Sequence, residues 1–264
     1  MDVAATKDSL VFHAVTAVTV LIFAWGAYEH LAFWLRGNLS RSKQGTPGEK
    51  LSYAFGQVGQ ALGKPSTYGY ILSNVVLQRQ IMRESLTRWF MHASLLWGLA
   101  GLFFIGSLGN MAMDLHLVSF TKDTPWFAVL NDAFGLLVLL GAAVAMVRRY
   151  VFGVHQLRST LDDIVIMAGV GLGVLSGFLL ETARLNMEAV PAGAAAYSFA
   201  GQWLRQVLPA GWQWTGIHTA VWWFHFVLGA GMVAYLPNSK LFHVLVAPLS
   251  VGAFSLRDSH RLRA

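Results

Sequence analysis

Residues 126–147 read WFAVLNDAFGLLVLLGAAVAMV and carry one charged side chain, Asp132. A helix rises 1.5 Å per residue, so roughly 20 apolar residues cross a hydrocarbon layer about 30 Å thick. Lipid offers no partner for backbone N–H and C=O groups, so a stretch this apolar and this long has to be a helix. Four further stretches pass the same test: residues 10–35, 90–113, 164–185 and 217–236. The reading is an all-α membrane protein, a bundle of five transmembrane helices, occupying residues 1–264 as a single domain. A shorter apolar piece, residues 241–254, follows Pro237 and is broken by Pro248. It reads as a bent continuation near the interface, not as a sixth span.

The composition agrees. Of 264 residues, 55% are hydrophobic and 12% charged, against roughly 25% charged in soluble domains. Ten tryptophans and seventeen phenylalanines suit interfaces and cofactor pockets. There is no cysteine, which excludes iron–sulfur ligation, disulfides and covalent haem attachment on this chain. The net charge of +6 is a topology signal and not a nucleic-acid signature, because the basic residues fall in particular loops. Residues 37–88 and their margins hold Arg36, Arg41, Lys43, Lys50, Lys64, Arg79, Arg83 and Arg88. Arg148, Arg149 and Arg158 lie between the third and fourth spans, and Arg257, Arg261 and Arg263 in the tail. With five spans all three segments fall on one side, so the positive-inside rule puts the N-terminus outside and the C-terminus in the cytoplasm. The expected location is a bacterial or archaeal cytoplasmic membrane. The pattern in the long loop, residues 37–88, predicts a short amphipathic helix around residues 51–62.

Ionisable groups inside a bilayer are costly and need a reason. A neutral imidazole binds haem iron through one nitrogen while the other donates a hydrogen bond that orients the ring. Of nine histidines, His30, His155 and His260 lie at cytoplasmic ends, where a solvated side chain is expected. His116 reads as interfacial, near Asp114. His13, His92, His218, His225 and His243 are the candidates, with helix–helix contact as the alternative for each. His92, one turn into the second span, and His243, beyond Pro237, share a depth on different helices, as a bis-histidyl haem requires. His225 precedes His243 by eighteen residues, at most roughly 27 Å of helix. That suits two stacked redox sites. Gly98, Gly101, Gly106, Gly109, Gly169, Gly171, Gly173, Gly177, Gly229 and Gly231 punctuate the spans and admit either a flat ring or a close helix.

The run HFVLGAGMVAYLPNSKLFH, residues 225–243, resembles the last span of the respiratory nitrate reductase gamma subunit. That family is a five-span, dihaem cytochrome b that oxidises quinol. Both histidines, the intervening proline, the serine and the basic residue agree. Residues 78–83 leading to His92, Asn131 to Gly135, Arg148 to Tyr150, Gly177 to Arg184, and Trp222 to His225 are similar to membrane subunits that work with heterodisulfide-reductase-type iron–sulfur proteins. The resemblance covers residues 78–250, and the first span matches loosely. It implies that His92 and His243 bind the haem b nearer the cytoplasm and that His225 serves a second haem nearer the outside. Where the family carries its second ligand in the second span, this chain has Leu102, which cannot bind iron. His13 is the nearest replacement, with His218 a competitor on the face of His225. The alternatives are a quinone beside His225, and a haem that is absent or five-coordinate.

These residues imply a respiratory-chain electron-transfer subunit of a quinone-linked oxidoreductase complex. It would exchange electrons between a quinone or menaquinone pool and a cytoplasmic iron–sulfur or flavoprotein partner. Quinol oxidation releases protons and needs a nearby acceptor. Glu181 is the candidate, with Arg184 three residues on and able to pair with it. The competing readings are a proton-conducting transporter subunit using Glu181, Arg184 and Asp132, and a cofactor-free membrane anchor.

Overall fold

The computed structural model describes residues 10–36, 45–152 and 160–247, and every regular element among them is helical. Five helices are long and apolar enough to cross a membrane: Leu10–Phe33, Leu86–Asp114, Pro125–Val151, Leu161–Met187 and Trp214–Asn238. These are the five stretches read from the sequence. The last four extend one to four residues further at each end, because hydrogen bonding continues through residues that hydropathy alone does not count. The chain is a multi-pass membrane protein.

The helices are α1 (Leu10–Leu35), α2 (Pro47–Leu62), α3 (Pro65–Ile71), α4 (Arg79–Glu84), α5 (Leu86–Gly101), α6 (Gly109–Asp114), α7 (Pro125–Met146), α8 (Leu161–Met187), α9 (Ala192–Ala195), α10 (Phe199–Val207) and α11 (Trp214–Tyr235). Three π-helical segments, Leu72–Val76, Leu102–Leu108 and Val147–Val151, widen the ladder. Two 3₁₀ turns, Leu236–Asn238 and Lys240–Phe242, follow α11. Proline starts α3 and α7, where its missing N–H costs nothing. The long loop contains the amphipathic helix expected there: α2, whose Phe55, Val58 and Leu62 are all exposed. It begins at Pro47, earlier than the pattern suggested. Residues 248–264, with the second half of the apolar piece 241–254, lie outside the described residues, as do His155 and His260.

Contacts divide the chain into two compact units. The first comprises residues 1–16 and 90–232, and α7 and α8 make its centre. Without a hydrophobic force between helices in lipid, association depends on close packing, which small residues permit. A Cβ on Gly98 would meet the Phe134 carbonyl at 2.9 Å and collide with the Val138 side chain. One on Gly101 would enter the Phe134 ring, and one on Gly141 would meet Ser94 and Leu95 at 3.0 Å. These residues bring α5 onto α7. On the far side of α7, Gly135 receives Phe178 of α8, at 2.6 Å from where a Cβ would sit. Val138, Val170, Val174 and Phe178 are buried in consequence. The N-terminus of α8 is held where the Asp163 carboxylate accepts from the Thr160 N–H (3.0 Å) and from Arg149 (2.8 Å).

The second unit comprises residues 17–89 and 233–264. Gln78 adopts a left-handed backbone (φ 51°) and starts α4, an uncommon conformation for a residue with a Cβ. The indole N–H of Trp89 donates to the carbonyl of the neighbouring Leu77 at 2.9 Å.

Candidate functional site

The geometry converges on His225, in the middle of α11 within the first unit. Its Nδ1 lies 2.9 Å from the Ser176 hydroxyl of α8. That hydroxyl has one hydrogen, and it donates to the Gly173 carbonyl at 2.9 Å. The Ser176 oxygen therefore accepts from His225, which puts the ring proton on Nδ1 and leaves Nε2 as the lone-pair nitrogen. This is the arrangement that metal-bound histidines use, with the second nitrogen oriented by a hydrogen-bond acceptor. The ring lies over Gly177, where a Cβ would sit 3.6 Å from Cε1. Nothing lies within 4 Å of a Cβ position on Gly173, or on Gly229 one turn beyond His225. The glycines therefore divide by role. Gly98, Gly101, Gly109 and Gly169 are filled by side chains of neighbouring helices. Gly171, Gly173, Gly229 and Gly231 leave open space. An imidazole held through Nδ1 keeps Nε2 as a potential ligand nitrogen, and the glycines at 173 and 229 add no side chain to the space around these helices. Ser176 was not singled out from the sequence. The available signal was a hydroxyl among the glycines of residues 164–180, an otherwise apolar stretch, which needs a partner in lipid.

The other candidates of this unit sit around α11. Phe12 packs on Phe226 at 4.7 Å and on Trp222 at 5.9 Å, which brings the start of α1 alongside the turn bearing His225. His13, the next residue, is itself exposed. His218 shares a face with His225 two turns earlier, and its Nδ1 is buried with no hydrogen-bond partner among the described residues. His92 is half-buried on α5, beside Ala93 and Ser94, which are buried. Its side chain belongs to the first unit, whereas that of His243 belongs to the second. No cluster of three or more His, Asp or Glu side chains able to hold a bare metal ion occurs among the described residues.

Glu181 and Arg184 pair as their spacing suggested, and two further carboxylates join them. Arg184 is buried and contacts Glu181 (2.8 Å), Asp123 (2.9 Å) and Glu188 (3.0 Å). Glu181 is gripped through both Nε and Nη2 of the guanidinium. Asp132 plays a structural part. Its buried carboxylate accepts from the Ala200 N–H at 2.8 Å, satisfying an unpaired donor at the start of α10. The neighbouring Gly201 lets α10 lie against Glu181 of α8.

In the second unit, His243 is exposed, and its Nδ1–H donates to the Lys240 carbonyl. The turn before it is capped by Ser239, whose hydroxyl accepts from Leu241 N–H at 3.1 Å and donates to Leu236 O at 3.0 Å. This explains the proline–serine–basic spacing in physical terms. His30 is not the solvated residue that its position suggested. It is part-buried and bonded to the Pro237 carbonyl.

Residues 72–254 match the nitrate reductase gamma subunit family. One subunit of the dihydromethanophenazine:CoB–CoM heterodisulfide reductase of Methanosarcina acetivorans is 25% identical, covering 89% of this chain and 88% of that protein. Its counterpart in Methanosarcina mazei is 26% identical over 89% of each chain. The EtfAB:quinone oxidoreductase of Syntrophomonas wolfei is 23% identical over 93% of this chain, which spans 33% of that protein. No solved structure matches. The matched region takes in four of the five spans, the Ser176–His225 pair, His92 and the turn that carries His243. The chain belongs to the nitrate reductase gamma subunit family.

Proposed function

We propose that this chain is the haem b-containing membrane subunit of a quinone-linked oxidoreductase. The observation that carries the reading is the His225 ring, held through Nδ1 by Ser176, with nothing within 4 Å of a Cβ position on Gly173 or Gly229. His225 Nε2 would hold one haem b, with His13 or His218 as the group opposite. His92 and His243 are each proposed as haem b ligands from their own sequence context. Bound haem supplies one-electron redox chemistry between a two-electron carrier and single-electron partners. The chain's contribution is to orient the ligand imidazoles and to surround them with apolar helices that keep water out.

The carrier is proposed to be a quinone or menaquinone. The relatives' names support this class, one containing a quinone and the others dihydromethanophenazine. Glu181 is assigned as the proton acceptor, with Arg184 holding its carboxylate in place. Glu181→Gln keeps the shape and removes the base, so it should slow quinol-driven haem reduction at unchanged haem content, and wild-type rates would eliminate the role. The N-terminus is assigned to the outside and the basic segments to the cytoplasm, where an iron–sulfur or flavoprotein subunit would dock. A cofactor-free anchor or a proton-conducting subunit would not need the oriented His225.

The test is a reduced-minus-oxidised optical spectrum of the purified protein with haem quantitation. Wild type should give a split b-type band. His225→Ala should lose one haem with the other retained, and Ser176→Ala should alter that haem's spectrum without removing it. A purified wild-type protein lacking any b-type band would refute the proposal.

A further inference from the structure

We propose that His30 is a positioning residue for His243, clamping the turn that carries that histidine to the first span. The proposal rests on the reading of His243 as a haem ligand. In a continuous helix the Leu241 N–H would bond the Pro237 carbonyl. Here it bonds the Ser239 hydroxyl, which leaves the Pro237 carbonyl off the ladder although Pro237 is fully buried. His30 of α1 supplies the missing donor: Nε2 lies 2.8 Å from that oxygen. The His30 ring also stacks on Phe242, with centroids 4.5 Å apart and planes at 28°. Phe242 is the residue immediately before His243.

One turn earlier on the same face of α1, Gly26 lets the helix close on the turn. A Cβ there would lie 2.7 Å from Pro237 Cβ and 3.3 Å from the Asn238 amide nitrogen. The turn is thus held at Pro237 by a hydrogen bond and a backbone approach, and at Phe242 by ring stacking. The Lys240 carbonyl, between those two points, receives His243 Nδ1–H. Fixing the turn therefore fixes both the position of the His243 ring and the acceptor that sets its tautomer. A buried carbonyl without a donor is costly, so the contact is strong enough to govern the turn. Ligand orientation and the strength of its Nδ1 hydrogen bond tune a bound metal.

The test uses the full chain in lipid nanodiscs, with His30→Ala, His30→Phe, His30→Gln and Gly26→Ala beside His243→Ala. His30→Phe keeps a stacking ring and lacks the donor, and His30→Gln restores a donor. Three readouts are compared: haem content, the low-spin EPR signal and midpoint potential of the haem lost in His243→Ala, and hydrogen exchange across residues 238–243. His30→Ala, His30→Phe and Gly26→Ala should shift that potential, broaden that signal and raise exchange in the turn. His30→Gln should return all three towards wild type. If His243→Ala removes a haem but His30→Ala and His30→Phe keep the wild-type potential and exchange, the positioning role is overturned and the ligand assignment stands. If His243→Ala leaves haem content unchanged, the ligand assignment fails and takes this inference with it.

Discussion

Removing the guanidinium of Arg184 should cost far more than removing any of its partners. Arg184 is 7% exposed and holds three carboxylates whose exposure rises from Glu181 (19%) through Asp123 (38%) to Glu188 (57%). Breaking a buried pair by deleting one partner costs about 3–5 kcal/mol, because a charge is stranded. In Arg184→Met the long stem is kept, so the packing loss is small. The three carboxylates then face one another without a cation. Asp123 and Glu188 have access to water and can resolvate, so the penalty concentrates on Glu181 and falls at the lower end, about 3 kcal/mol. Glu188→Gln removes a water-exposed partner and should cost at most about 1 kcal/mol. The assay is equilibrium unfolding in mixed micelles by SDS titration, followed by tryptophan fluorescence. The double variant Arg184→Met with Glu181→Gln should regain part of the loss, since the stranded charge is gone. A cost for Arg184→Met no larger than for Glu188→Gln would refute the reasoning. An absence of recovery in the double variant would show that a stranded carboxylate is not its source.

Three further variants test the hydrogen bonding and the packing. Asp132→Ala leaves the Ala200 N–H without its acceptor, a loss of about 1–3 kcal/mol. Hydrogen exchange should rise at the start of α10 and stay unchanged at the start of α8. Gly98→Leu should destabilise by more than the usual 1–3 kcal/mol of overpacking, because its neighbours are the backbone of Phe134 and the buried Val138. Gly171→Ala, in open space, should be neutral or slightly stabilising by the same unfolding assay.

The sequence by itself determined the five spans, the all-helical class and the amphipathic helix in the long loop. The physical reason is that crossing a bilayer is a constraint on length and apolarity along one dimension, legible in a run such as residues 126–147. The family was legible too, because the residue 225–243 motif concentrates two histidines and the turn between them in one short stretch. Partners across helices were not legible. Which glycine receives a Phe134 ring and which leaves open space depends on rotation about each helix axis. The π-helical segment Leu102–Leu108 adds to the difficulty, since a wider turn shifts the phase of every residue after it. Only the tertiary structure decided that Ser176 orients His225, that Asp132 serves α10, and that Arg184 gathers three carboxylates. It alone moved His30 from a solvated helix end to the buried Pro237 carbonyl. A hydrogen bond depends on where two helices meet in space, and a sequence separation of 207 between His30 and Pro237 leaves no local trace of it.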